Sequence, residues 1–97
     1  MNDAAAWKTF FDTWPAGIGR TGVVVTTLND QIPFDGFMHN EMFLMIERKT
    51  PDTLGARKVV IPMSGIAAVK FIEVLAVQSF TTWGFAGTVG AKKAAAH

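Results

Sequence analysis

Two dibasic steps, Arg48-Lys49 and Arg57-Lys58, flank the short segment Thr50-Pro51-Asp52-Thr53-Leu54-Gly55. If the residues on either side pair as strands, four cations meet at one end of a hairpin. Arg can fork to two phosphate oxygens and Lys acts as a point charge, so such a cluster can hold a phosphate backbone. Its bland counterpart is a solvated hairpin tip partly neutralised by Glu47 and Asp52. The other polar constellations are weaker. Asp35-x3-His39-x-Glu41 has the residue types of a metal site, but a solvated turn explains it with fewer demands, since structural and catalytic sites draw on more nitrogen or sulfur ligands. Ser64 as a nucleophile needs a base and an orienting group, and His39 is the only histidine away from the C-terminus. Gly17-Ile18-Gly19-x-x-Gly22 has the spacing of a dinucleotide fingerprint without its context, because a helix precedes it and a strand follows. No phosphate-cradling P-loop is present. We therefore expect no catalytic residue, no metal and no cofactor.

Composition narrows the class further. A chain of 97 residues makes one domain and buries roughly 60 to 65% of its unfolded surface. Its net charge is +1 and charged residues are 18%, too few for a protein held to nucleic acid by bulk electrostatics, so any anion binding must be local. Hydrophobic content is 49%, with eight Phe and three Trp, which favours self-association. The absence of Cys removes disulfides and thiolate chemistry and fits a reducing compartment. Met1-Asn2-Asp3 is not the basic start of a signal peptide, and the expected location is cytoplasmic. Residues 74–91 are uncharged and nearly long enough to span a bilayer, but their Gln, Ser, Thr and Gly content argues against insertion, and no membrane partner is expected.

The elements that must position these groups begin with residues 4–14, where Trp7, Phe10, Phe11 and Trp14 recur at i, i+3, i+4 and i+7. That spacing predicts an amphipathic helix, capped by Asn2 or Asp3, stopped at Pro15 and laid as a lid on the core. After a glycine-rich linker, strands are predicted at 23–27, 31–38, 42–49 and 57–61, with a tight turn at Leu28-Asn29-Asp30 and a bulge or sharp bend at Pro33 and Asp35-Gly36. Met42-Phe43-Leu44-Met45-Ile46 is apolar without alternation, which calls for cover on both faces, as in a central strand or a subunit contact. Residues 66–74 read as a fifth strand, with a helix from Ser64 through Phe80 as the alternative. A short helix is expected at 76–83, and 92–97 as a frayed tail.

A helix, four closely connected strands with the second bent, a one-turn connection and a last short strand is an order similar to that of the Sm, LSm and Hfq superfamily. Over residues 4–73 the chain resembles that family in order and spacing. Asn29-Asp30, Gly36, Glu41 and Phe43 stand near the places of its first motif, and Pro62-Met63-Ser64 precede Ile66 where its second motif carries a basic or polar triplet. The resemblance implies that Glu41 bonds turn amides. It also implies a small, five-stranded, strongly bent barrel at residues 23–74, with the helix before it and an extension at 75–97. A homo-oligomeric ring of five to seven copies goes with that fold, in which strand four of one subunit pairs with strand five of the next. The family holds uridine with a basic residue of the triplet and an Asn on strand three, where this chain has Met63 and Met45.

Two functions are then expected. In the first, the ring binds single-stranded RNA without catalysis, through Arg48, Lys49, Arg57 and Lys58, with Glu41, Phe43, Met63 and Ser64 at the family's pocket positions. In the alternative, a structural or adaptor ring binds a protein partner through Phe80, Trp83 and Phe85.

Overall fold

The computed structural model describes residues 3–89. The expected tail at 92–97 and the cap residue Asn2 lie outside them. Helix α1 (Asp3–Asp12) puts an acidic residue in its first turn and closes on Thr13, whose hydroxyl donates to the Thr9 carbonyl at 2.8 Å. Its aromatic stripe faces inward. Phe11 and Trp14 are buried and meet Phe37 edge-on, at ring separations of 5.0 and 4.9 Å.

Five strands come after it: β1 (Thr21–Thr26), β2 (Gln31–His39), β3 (Phe43–Arg48), β4 (Lys58–Pro62) and β5 (Ile66–Lys70). They form one antiparallel sheet in the order β4-β3-β2-β1-β5. The β1–β2 turn is held by Thr26, whose hydroxyl accepts the amides of Leu28 and Asp30, while Asn29 takes the left-handed φ of 71° that asparagine tolerates. In β2 the register against β3 slips between Phe34 and Phe37, where Gly36 has φ 121°, so the bend expected at Asp35-Gly36 is a bulge.

Strand β5 ends at Lys70 rather than at residue 74, and the reason is local. Gly22 packs so closely on it that a Cβ there would sit 2.7 Å from the Lys70 carbonyl oxygen. Immediately beyond, Phe71 turns inward against Trp14 and Trp83. Aromatic burial ends the strand. The alternative helix from Ser64 is absent: a 3-10 turn at Met63–Gly65 joins β4 to β5, and a 3-10 segment at Val77–Trp83 closes on Gly84, which has the left-handed φ of 90°. Among the described residues no helix is long and apolar enough to cross a membrane.

The core lies between α1 and one face of the sheet. Phe34, Leu44 and Ile46 are fully buried there, and no polar or charged residue is buried among those described. Strand β3 alternates in this setting: Leu44 and Ile46 point in, while Phe43 and Met45 point out. The second face of that strand is left open, and Val60 of β4 beside it is 62% exposed.

Candidate nucleic-acid and subunit interface

Strands β3 and β4 do pair at the basic end. The Arg48 amide donates to the Arg57 carbonyl at 2.7 Å, which places the two dibasic steps side by side across the ladder. The loop beyond is stiffened by Asp52, whose Oδ1 accepts the amides of Leu54 and Ala56, both at 2.8 Å. Those two backbone bonds, more than the nearby Arg48 charge, hold the Asp52 carboxyl below the usual aspartate range. Lys58 Nζ lies 3.0 Å from Glu47 Oε1, an exposed pair of small energetic weight, and Arg48 Nε donates to the Thr50 carbonyl at 3.0 Å. Lys49 and Arg57 are exposed. The cluster therefore stands out into solvent with part of its charge already balanced.

The family-like pocket positions fall at the other end of the same hairpin. Phe43 is opposite Pro62, five ladder steps from the Arg48–Arg57 pair and hence about 17 Å away along the strand. Phe43 is 41% exposed and, with Met38, Asn40, Met45 and Val60, lines a shallow outer groove of about 340 Å³. Met38, Met45 and Val60 face each other directly across β2, β3 and β4. Asn40, missed by the sequence reading, organises the turn: its Oδ1 accepts the amides of Met42 at 2.9 Å and Phe43 at 2.8 Å. An Asn at the start of an apolar strand was the available signal. This is the bonding expected of Glu41, which instead points outward with one carboxylate oxygen 3.7 Å from Lys8 Nζ.

Three further placements bear on the sequence reading. Met63 is 1% exposed and sits in the core, because the 3-10 turn folds its side chain under α1, so it offers nothing to a ligand. Ser64 beside it stays exposed. Trp83 belongs to the fold: its ring stacks on Phe10 at 4.4 Å and its Nε1 donates to the Phe10 carbonyl at 2.8 Å. Phe80 is half-buried against Phe71, and of the three aromatic residues expected at a partner surface only Phe85 is mostly exposed, at 58%. Leu75, Val77, Phe80, Phe85 and Val89 surround an open apolar cavity of about 660 Å³.

His39 is not free to join Asp35 and Glu41, since its Nε2 lies 2.6 Å from Asp12 Oδ1. Lys8 contacts the other oxygen of Asp12, and the hydrogen bonds from Lys8 and then His39 hold that carboxyl below its usual range. The group ties α1 to the end of β2. A second interaction not foreseen lies beyond it, where the Arg20 guanidinium sits 4.3 Å above the Phe37 ring and donates to the Phe37 carbonyl. Comparison of the chain with protein-family models, curated proteins and solved structures finds no match.

Proposed function

We propose that this chain is the subunit of an Sm-like ring that binds single-stranded RNA without catalysis. The observation that carries the reading is the strand order. A leading helix, the order β4-β3-β2-β1-β5 and a one-turn link from β4 to β5 together leave those two strands as the free edges of one sheet. Free edges with ladder groups unpaired invite a partner strand, and head-to-tail pairing of β4 with β5 of the next copy satisfies both at once and closes by rotation. The bulge at Gly36 supplies the curvature that a small barrel needs.

Within such a ring, Arg48, Lys49, Arg57 and Lys58 repeat as a basic collar, and Phe43 presents an exposed ring on which a base can stack. The test begins with the nucleic-acid absorbance of freshly purified protein. Fluorescence anisotropy with short single-stranded oligonucleotides at two salt concentrations comes next. Binding that weakens steeply with salt is expected, and no binding at the lower salt removes the RNA reading.

Three observations favour the adaptor ring as a second reading. Met63 is buried and Met45 stands where the family has Asn, while an open apolar cavity lies beside Phe85. A discrete oligomer that ignores RNA would select it.

A further inference from the structure

The β3–β4 loop carries an apolar knob. Leu54 is 93% exposed, yet its loop is fixed by two bonds to Asp52 Oδ1, by the Asp52 amide donating to the Ala56 carbonyl at 3.0 Å, and by the Gly55 amide donating to the Asp52 carbonyl at 2.9 Å. Gly55 has the left-handed φ of 89° that this turn requires. A leucine held out in water by a preorganised loop loses little further freedom when something covers it.

A matching hole lies on the same molecule. The cavity of about 660 Å³ lined by Leu75, Val77, Phe80, Phe85 and Val89 is apolar, and the hydroxyl of Thr81 at its wall is engaged with the Gln78 carbonyl at 2.7 Å. It suits an aliphatic side chain better than a polar ligand. Knob and hole each adjoin the end of an edge strand: Leu54 shortly precedes the start of β4 at Lys58, and Phe80 of the cavity wall packs on Phe71, the residue after β5 ends at Lys70, at a ring separation of 5.4 Å.

The relative direction of the two edges then decides what meets. Antiparallel pairing brings the start of β4 beside the end of the neighbour's β5, and so brings the loop beside the cavity. Charge favours the same direction. Arg57 and Lys58 stand at the start of β4, and Glu73 follows β5 with a 3.5 Å contact to the Thr21 hydroxyl as its side-chain bond among the described residues. Parallel pairing would instead set those cations beside residues 63–67, which contain no acid. We propose that Leu54 of one copy seats in the cavity behind β5 of the next, with Glu73 of that copy facing Arg57 and Lys58. The proposal rests on the ring reading above and adds to it the lock that secures the strand contact.

Because the chain has no cysteine, the contact can be trapped cleanly. Leu54→Cys and Val77→Cys chains, mixed in equal amounts and oxidised, are expected to give a disulfide-linked dimer at least tenfold above either variant alone. Leu54→Asp, at an exposed site, is expected to keep the circular dichroism spectrum and shift the sedimenting species to smaller size. Glu73→Arg is expected to do the same, with recovery when Arg57→Glu and Lys58→Glu are added. If the wild type sediments as a discrete oligomer while Leu54→Asp leaves it intact and the mixed cysteines do not link, the seat is overturned and the ring stands. Cross-linking of Leu54→Cys to itself also overturns it, since that marks a two-fold contact. A monomeric wild type overturns seat and ring together.

Discussion

At the scale of single residues, Phe11 anchors the lid. Its ring is fully buried, edge-on to Phe37 and stacked near Trp14 at 5.9 Å. Phe11→Ala is expected to cost about 3 to 5 kcal/mol in chemical denaturation. A loss under about 1 kcal/mol would mean that the helix does not cover the core in solution. Asp12 and Asp52 set a pH dependence. Both carboxyls are held below their usual range in the fold, Asp12 by Lys8 and then His39, Asp52 by the amides of Ala56 and Leu54. A depressed carboxylate contributes stability that is present above its unfolded value near about 4 and lost as pH falls through the lower folded value. Melting temperature should therefore hold between about pH 7 and 5 and drop below about pH 4. Asp52→Ala should flatten that acid limb, and an unchanged slope would show that the loop is not ordered by this carboxylate.

At the scale of elements, the phase of the β3–β4 ladder decides which amides are free. Bonds at Arg48–Arg57 and Met42–Met63 make every second pair hydrogen-bonded, so Val60, opposite Met45, lies in a non-bonded pair with its N–H pointing off the open edge. Val60→Pro should leave the circular dichroism spectrum intact and dissociate any oligomer built on that edge. Val59→Pro, whose amide faces β3, should unfold the chain. An oligomer that survives Val60→Pro must use another contact. Most of these elements were legible in the sequence, because aromatic spacing marks α1 and β-branched runs bounded by Asn, Pro and Gly mark the strands. The end of β5 was not. Val69 and Ile72 read alike in isolation, and only the packing of Phe71 on Trp14 and Trp83 separates the strand from the segment beyond it. Nor was the fate of Met63 legible, since nothing local distinguishes a methionine at a pore rim from one folded beneath a helix.

For the whole molecule, the proposed RNA site is two places on one hairpin. Sequence proximity suggested the cations around the loop, and pairing at Arg48–Arg57 does bring the dibasic steps together. It could not reveal that Phe43 lies at the far end, because that separation is a property of strand length and register. Two sites about 17 Å apart without shared partners should contribute independently, since coupling fades beyond roughly 7 to 10 Å. Their physics also differs. Replacing Arg48 and Lys49, the two cations of the collar that the subunit contact leaves unengaged, with Gln should weaken RNA binding and lower the slope of log affinity against log salt by about 0.7 for each phosphate no longer neutralised. Phe43→Ala should remove a stacking interaction of about 1 to 3 kcal/mol and leave the slope unchanged. The combined variant should then lose the sum of the two effects at any one salt concentration. If neutralising these two cations leaves the slope where it was, the collar does not meet phosphate. If Phe43→Ala changes the slope instead, the ring at Phe43 acts by positioning charge and not by stacking. Parallel loss in both variants, with no additivity in the third, would mean that one stretch of RNA engages both ends of the hairpin as a single site.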